Sequence, residues 1–211
     1  MSTPEPVTLD ATLDATVGAT SGATPSQTIG PFYGYALPFA GGGEVAPAGH
    51  PDTVTVHGRV LDGAGEPIPD ALLEFWQAGP DGSRTGAPGS LRRDQVTGAV
   101  LGRDGVDFTG FGRVATDADG HYVLRTLPPA ADAPYLAVVV FARGLLHHLH
   151  TRVYLPGPAG AGALAGDPLL AALPAARRAT LVAAEERHGV HRFDLRLQGG
   201  ADEETVFLEF P

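Results

Sequence analysis

The chain contains no cysteine and no lysine, a single methionine and a single tryptophan. Without cysteine, disulfide frameworks and thiolate-held metal centres are excluded. Without lysine, all 14 basic residues are arginines, set against 24 acidic ones for a formal net charge of −10. Such a chain offers no basic stripe to nucleic acid or to an anionic membrane. A single well-placed arginine can still grip a small anion through its planar fork. No apolar run approaches the ~20 residues that a membrane helix needs. Met1 to Ala23 have neither the basic segment nor the apolar core of a secretory signal, so the expected location is cytoplasmic.

What is present is enough for one packed domain. The chain has 211 residues, 43% of them hydrophobic. Its 29 glycines and 19 prolines favour short strands joined by turns over long helices. Residues 1–23 are small, polar and acidic and read as a flexible tail; a domain is expected over 24–211, with 24–52 as an extended N-terminal arm.

From Thr53 the period is two. Val54, Val56, Gly58 and Val60 alternate with Thr55, His57 and Arg59, as in a half-buried strand. A turn over Asp62–Pro67 leads to a returning strand, Ala71–Gln77, and a polar, glycine-rich excursion follows to about Asp107. Arg113–Thr116 and His121–Arg125 read as a further hairpin about Asp117–Gly120. Tyr135–Phe141 is almost wholly apolar, as in a strand buried on both faces, and turns at Ala142–Gly144 into a strand over His148–Leu155. Residues 167–187 are expected to be helical, opened by an Asp167 cap with Pro168 at the first helical position. Two last strands are expected at His191–Leu197 and Thr205–Phe210. The sum is an all-β fold, a β-sandwich of mixed and antiparallel strands with long loops and one or two short helices.

Three features could carry chemistry. His148 and His150 share a strand face and could chelate a metal if Tyr135 or Tyr154 approached, or could simply hydrogen-bond across an interface, with His147 beside them. Arg143 sits in the turn between two apolar strands, placed either for solvent or for a carboxylate. In Thr28-Ile29-Gly30-Pro31 the glycine permits close backbone approach to a ligand, although most Gly-Pro pairs are merely turns.

Taken together, several segments resemble the intradiol ring-cleavage dioxygenases. Thr24-Pro25-Ser26-Gln27-Thr28-Ile29-Gly30-Pro31-Phe32 is similar to that family's opening motif. Val56–Val60, Gly65–Ala71 and Glu74–Ala78 resemble its first hairpin, and Phe111–Arg113 with Thr116–Thr126 continue the match. Phe141–Gly144, His148–Tyr154, Arg192–Asp194 and Glu204–Phe207 resemble specifically the alpha-type chain of its two-chain members.

The resemblance implies ring cleavage of a catechol by O2 at Fe(III) held by two Tyr and two His. It also implies that this chain departs from that ligand set. The first Tyr is absent from Gly82-Ser83-Arg84-Thr85, and Leu136 and Val138 stand where the two His belong. The implied arrangement is a hetero-oligomer in which a beta-type partner subunit binds the Fe(III) and the active-site cleft lies between the chains. This chain would contribute Thr28, Gly30, Pro31, Phe32 and Arg143 to that cleft as substrate-binding residues, with Arg143 toward a carboxylated catechol. Phe32 replaces a Tyr often found at its position. Two other readings remain at this point: a self-sufficient catechol or hydroxyquinol dioxygenase using Tyr135, His148 and His150, and a transthyretin-like module with no enzymatic role.

Overall fold

The computed structural model describes residues 28, 30, 32–85, 91–156 and 164–210. The expected tail over 1–23 and Pro31 lie outside them. Eleven strands build the fold: β1 Val54–Leu61, β2 Leu72–Trp76, β3 Leu91–Arg93, β4 Val100–Arg103, β5 Phe111–Ala115, β6 His121–Thr126, β7 Tyr135–Phe141, β8 Leu149–Tyr154, β9 Ala184–Arg187, β10 Val190–Arg192 and β11 Leu195–Arg196. Short helices join them, among the described residues α1 Tyr33–Ala36, α2 Pro168–Ala172 and α3 Ala175–Ala179.

The main strands form two sheets facing each other. One has the order β11-β1-β10-β9, with β6 also paired to β1; the other runs β5-β2-β7-β8. The alternation read in β1 is the burial pattern found there, with Val54, Val56, Gly58 and Val60 inward. Their partners across the sandwich are Leu73 and Phe75 on β2, Leu136, Val138 and Val140 on β7, and Val153 on β8, all in one buried cluster. The expected β-sandwich is therefore present, and β7–β8 is the antiparallel hairpin read from its turn.

Five expectations need correction. β1 and β2 are not a hairpin: β1 pairs with β6, β10 and β11, whereas β2 pairs with β5 and β7. The Asp62–Pro67 turn instead carries the chain from one sheet to the other, its Asp62 carboxylate accepting from the Ala64 and Glu66 amides. β5 and β6 are likewise split between sheets by the Asp117–Gly120 turn. The helix expected over 167–187 is two single-turn pieces that break at Pro174, and residues 184–187 pair with β10 as edge strand β9. Finally, β10 and β11 are separate short strands, and the segment expected as a strand over 205–210 pairs through an isolated bridge, His150 to Leu208, and a backbone hydrogen bond from Thr205 to Arg196 instead of a ladder. β7 also alternates between buried and half-buried residues instead of being buried equally on both faces.

Among the described glycines the tightest setting is that of Gly58, where a Cβ would lie 1.8 Å from the Phe193 carbonyl oxygen. That carbonyl also accepts from the Tyr122 hydroxyl at 2.7 Å. Burial drives the Tyr122 phenol pKa far up, with the Asp194 carboxylate adding to the rise, so it serves as a donor at all ordinary pH. Gly58→Ala is expected to cost about 2 kcal/mol, as overpacking against rigid backbone does. A urea midpoint equal to that of the parent chain would show that β10 and β11 can move aside.

Candidate functional site

At the two positions where the resemblance implies histidine ligands, the side chains are hydrocarbon. Leu136 and Val138 lie inward on β7, 0% and 1% exposed, packed in the core cluster with Phe75 and Val153. The loop that would carry the first Tyr is tied by Asp81, whose carboxylate accepts from the Ser83 amide at 3.0 Å, and by a 3.0 Å contact between the Ser83 and Thr85 hydroxyls. An open cleft of about 280 Å³ lies beside this loop, lined in part by Gln77, Asp81 and Phe108. These residues do not fit Fe(III): the core offers no donor atom at Leu136 or Val138, and no phenol stands in the loop.

The other candidate set also fails to converge. Tyr135 lies opposite Tyr154 in the β7–β8 ladder, whereas His150 lies opposite Val139. Four ladder positions separate them, about 13 Å at strand rise. Tyr135 is instead covered by Arg152, whose guanidinium carbon sits 3.9 Å from its ring centroid. His148 meets His150 edge-on, and the two stack against Phe141 and Phe210 respectively. Burial lowers the His150 pKa, with His148 adding to the effect, so neutral imidazole is favoured there. No group of three or more His, Asp or Glu side chains suited to a metal occurs among the described residues.

A different constellation gathers where the arm meets the β7–β8 turn. The Thr28 hydroxyl accepts from the Gly30 amide at 3.2 Å, and Gly30 has φ +83°, a conformation that costs glycine little. Thr28 lies against Phe141, Ala142, Leu145, His147 and His148. The arm then enters α1, where the Phe32 carbonyl accepts from the Tyr35 and Ala36 amides at 3.1 and 3.0 Å. Phe32 and Tyr35 stand outward, 73% and 89% exposed, close in sequence to the buried Tyr33. Arg143 extends from the turn, 75% exposed, and forms an ion pair with Asp70.

Tyr33 and Asp70 are the members of this site that sequence reasoning missed. The Tyr33 hydroxyl is buried near the Arg143 backbone and makes no well-formed hydrogen bond among the described residues. Burial raises its pKa first and Asp70 second, while the Arg143 charge and backbone oppose the rise. Asp70 stood in the sequence as the close of the Ile68-Pro69-Asp70 turn, and nothing local showed that it would meet residue 143. Of the five expected substrate-binding residues, the structure sets Thr28 against the turn that carries Arg143. It places Gly30 and Phe32 on the same arm; no hydrogen bond or ion pair joins these two to Arg143 among the described residues, and Pro31 lies outside them.

A family model described as Dioxygenase matches residues 30–136. The chain belongs to the intradiol ring-cleavage dioxygenase family. It is 40% identical over 205 residues to the protocatechuate 3,4-dioxygenase alpha chain of Burkholderia cepacia, covering 88% of this chain and 96% of that one. It is 33% identical over 209 residues to the alpha chain of the same name from Pseudomonas putida, again covering 88% and 96%. To the Burkholderia cepacia beta chain it is 30% identical over 165 residues, covering 70% of this chain and 65% of that one.

Proposed function

We propose that this chain is the alpha-type, non-iron-ligating subunit of a protocatechuate 3,4-dioxygenase, cytoplasmic and joined to a beta-type subunit in a hetero-oligomer. The observation that supports this most directly is that Leu136 and Val138, which the resemblance sets at the family's two histidine positions, are hydrocarbon side chains buried in the core. Two unpaired imidazoles in that packing would be costly, so a chain that does not hold the metal is better served by aliphatic groups. In this reading Fe(III) resides on the partner and supplies the oxygen chemistry when bound. The reaction breaks the ring bond between the two hydroxyl-bearing carbons and places both atoms of O2 in 3-carboxy-cis,cis-muconate.

This chain's part is binding and orientation. Thr28, Gly30, Pro31 and Phe32 present the arm to the shared cleft. Gly30 allows the backbone to approach a ring, and the exposed Phe32 offers an apolar face. The Arg143 guanidinium donates to Asp70 on one side and has further N–H groups for the substrate carboxylate. The exposed Phe32, Tyr35, Leu146 and Phe210 suit an obligate subunit interface.

Iron content and visible absorbance test this directly, measured on the chain alone and co-expressed with a beta-type partner. The lone chain is expected to be colourless, and the complex coloured by phenolate-to-Fe(III) charge transfer and active on protocatechuate. Stoichiometric iron in the lone chain would overturn the subunit reading.

A further inference from the structure

Three side chains meet in a row across the outer face of the sheet that holds β9, β10, β1 and β6. His57 of β1 and His121 of β6 point outward, since Val56 and Tyr122 beside them point into the core. Glu186 reaches them from β9. The His57 Nε2 lies 3.0 Å from the Glu186 carboxylate, and the His57 Nδ1 lies 3.4 Å from the Nε2 of His121. A carboxylate only accepts, so the single proton of a neutral His57 sits on Nε2 and the Nδ1 lone pair faces His121. At 3.4 Å a hydrogen bond from His121 to that lone pair is long against the about 3.0 Å of a well-formed one. The two ring nitrogens are brought together without being well matched to each other.

We propose that His57 Nδ1 and His121 Nε2 chelate a zinc ion, with Glu186 orienting His57 from behind and water completing the coordination. A ligating histidine characteristically donates its other ring N–H to a carboxylate, which is the arrangement His57 has. Distance selects the ion. Nitrogens 3.4 Å apart, each about 2.05 Å from one cation, stand at about 112° to each other there, close to tetrahedral. Neighbouring ligands of a square-planar or octahedral ion, at about 90°, would be only about 2.9 Å apart. Small rotations about χ2 aim both lone pairs at one point beside the line between the nitrogens. Charge permits a cation as well. Arg192 and Arg59 are the register partners of His57 and His121, and each faces an acid. Arg192 pairs with Asp194 at 2.9 Å, and Arg59 acts on the Asp117 carboxylate, so with Glu186 the acids outnumber the arginines. The His57 and Glu186 side chains are 23% and 38% exposed, which gives an ion and its waters access.

All three side chains belong to this chain, so the test is independent of the subunit reading. The full chain, stripped of metal, would be titrated calorimetrically with Zn²⁺ at about pH 8, where ordinary imidazole is unprotonated. It is expected to take up one ion at this pair. His57→Ala and His121→Ala should each weaken that binding by more than about tenfold, and Glu186→Ala by about tenfold, the lower end for loss of a carboxylate behind a ligand. Replacing His148 and His150, the other adjacent pair, with alanine should leave it unchanged. In the parent chain Zn²⁺ should shift the His57 Nδ1 and His121 Nε2 resonances and leave His57 Nε2 protonated, a readout that needs no variant. Binding no tighter than about 1 mM, binding that survives either single histidine variant, or binding lost with His148 and His150 would each overturn the proposal.

Discussion

Arg143→Ala in the assembled enzyme is expected to lower kcat/KM for protocatechuate by about 30-fold, mostly through KM, while catechol turnover changes by less than about 3-fold. The figure corresponds to about 2 kcal/mol, the lower end for truncating one member of a hydrogen-bonded charge pair. The lower end applies for two reasons. Arg143 is largely exposed in this chain, so water screens it, and Asp70 already offsets part of its charge. The substrate carboxylate therefore gains less than a bare arginine would give. Arg143→Lys retains the charge without the fork and should fall between the two. Equal losses on protocatechuate and catechol would remove the carboxylate contact and leave Arg143 as a structural partner of Asp70.

Asp167→Ala is expected to destabilise the chain by about 3 kcal/mol, because one buried carboxylate serves four partners at once. Asp167 caps α2, accepting from the Leu169 and Leu170 amides at 2.9 and 3.1 Å. It also accepts from the Tyr154 hydroxyl at 2.9 Å and lies 3.8 Å from the Arg152 guanidinium. Burial raises the Tyr154 pKa to about 12, with Arg152 opposing the rise, so the phenol remains a donor under ordinary conditions. Removing the carboxylate strands that hydroxyl, uncaps the helix and leaves Arg152 with only the Tyr135 face and the Tyr154 oxygen. Leu170, Tyr154, Leu181 and Val206 form a small cluster of their own, so the damage is expected there first. Urea unfolding provides the check, with Tyr154→Phe as the milder comparison at about 1 kcal/mol. A loss within about 0.5 kcal/mol, as at ordinary surface positions, would show that water replaces every bond Asp167 makes.

The sequence revealed which side chains face inward better than it revealed which strands are neighbours. Val54, Val56 and Val60 announce their face because alternation is local to one strand. Whether β1 pairs with β2 depends on where the Asp62–Pro67 turn sends the chain, and a well-formed turn is compatible with either outcome. Ala-, Leu- and Arg-rich residues after Asp167 carry real helix preference, and Asp167 and Pro168 start a helix as read. Pro174 and the hydrogen bonds offered by β10 then override that preference. For the site, Arg143 and Thr28 were legible through their turn and motif. Their neighbours Tyr33 and Asp70 were not, since three segments distant in sequence meet only in the folded chain.

The pairing of β1 with strands from the far end of the chain bears on how the protein is made. β1 is the longest strand, yet on one edge it bonds to β10 and β11, with Thr55 in register with Val190 and Val60 with Leu195. A chain growing from the ribosome must be synthesised beyond Leu195 before that edge can close. Until then β1 has its ladder to β6 on one side and an open, β-branched edge on the other. Closure thus waits for β10 and β11, and a nascent chain stalled before Val190 is expected to be sensitive to protease and prone to strand-to-strand association.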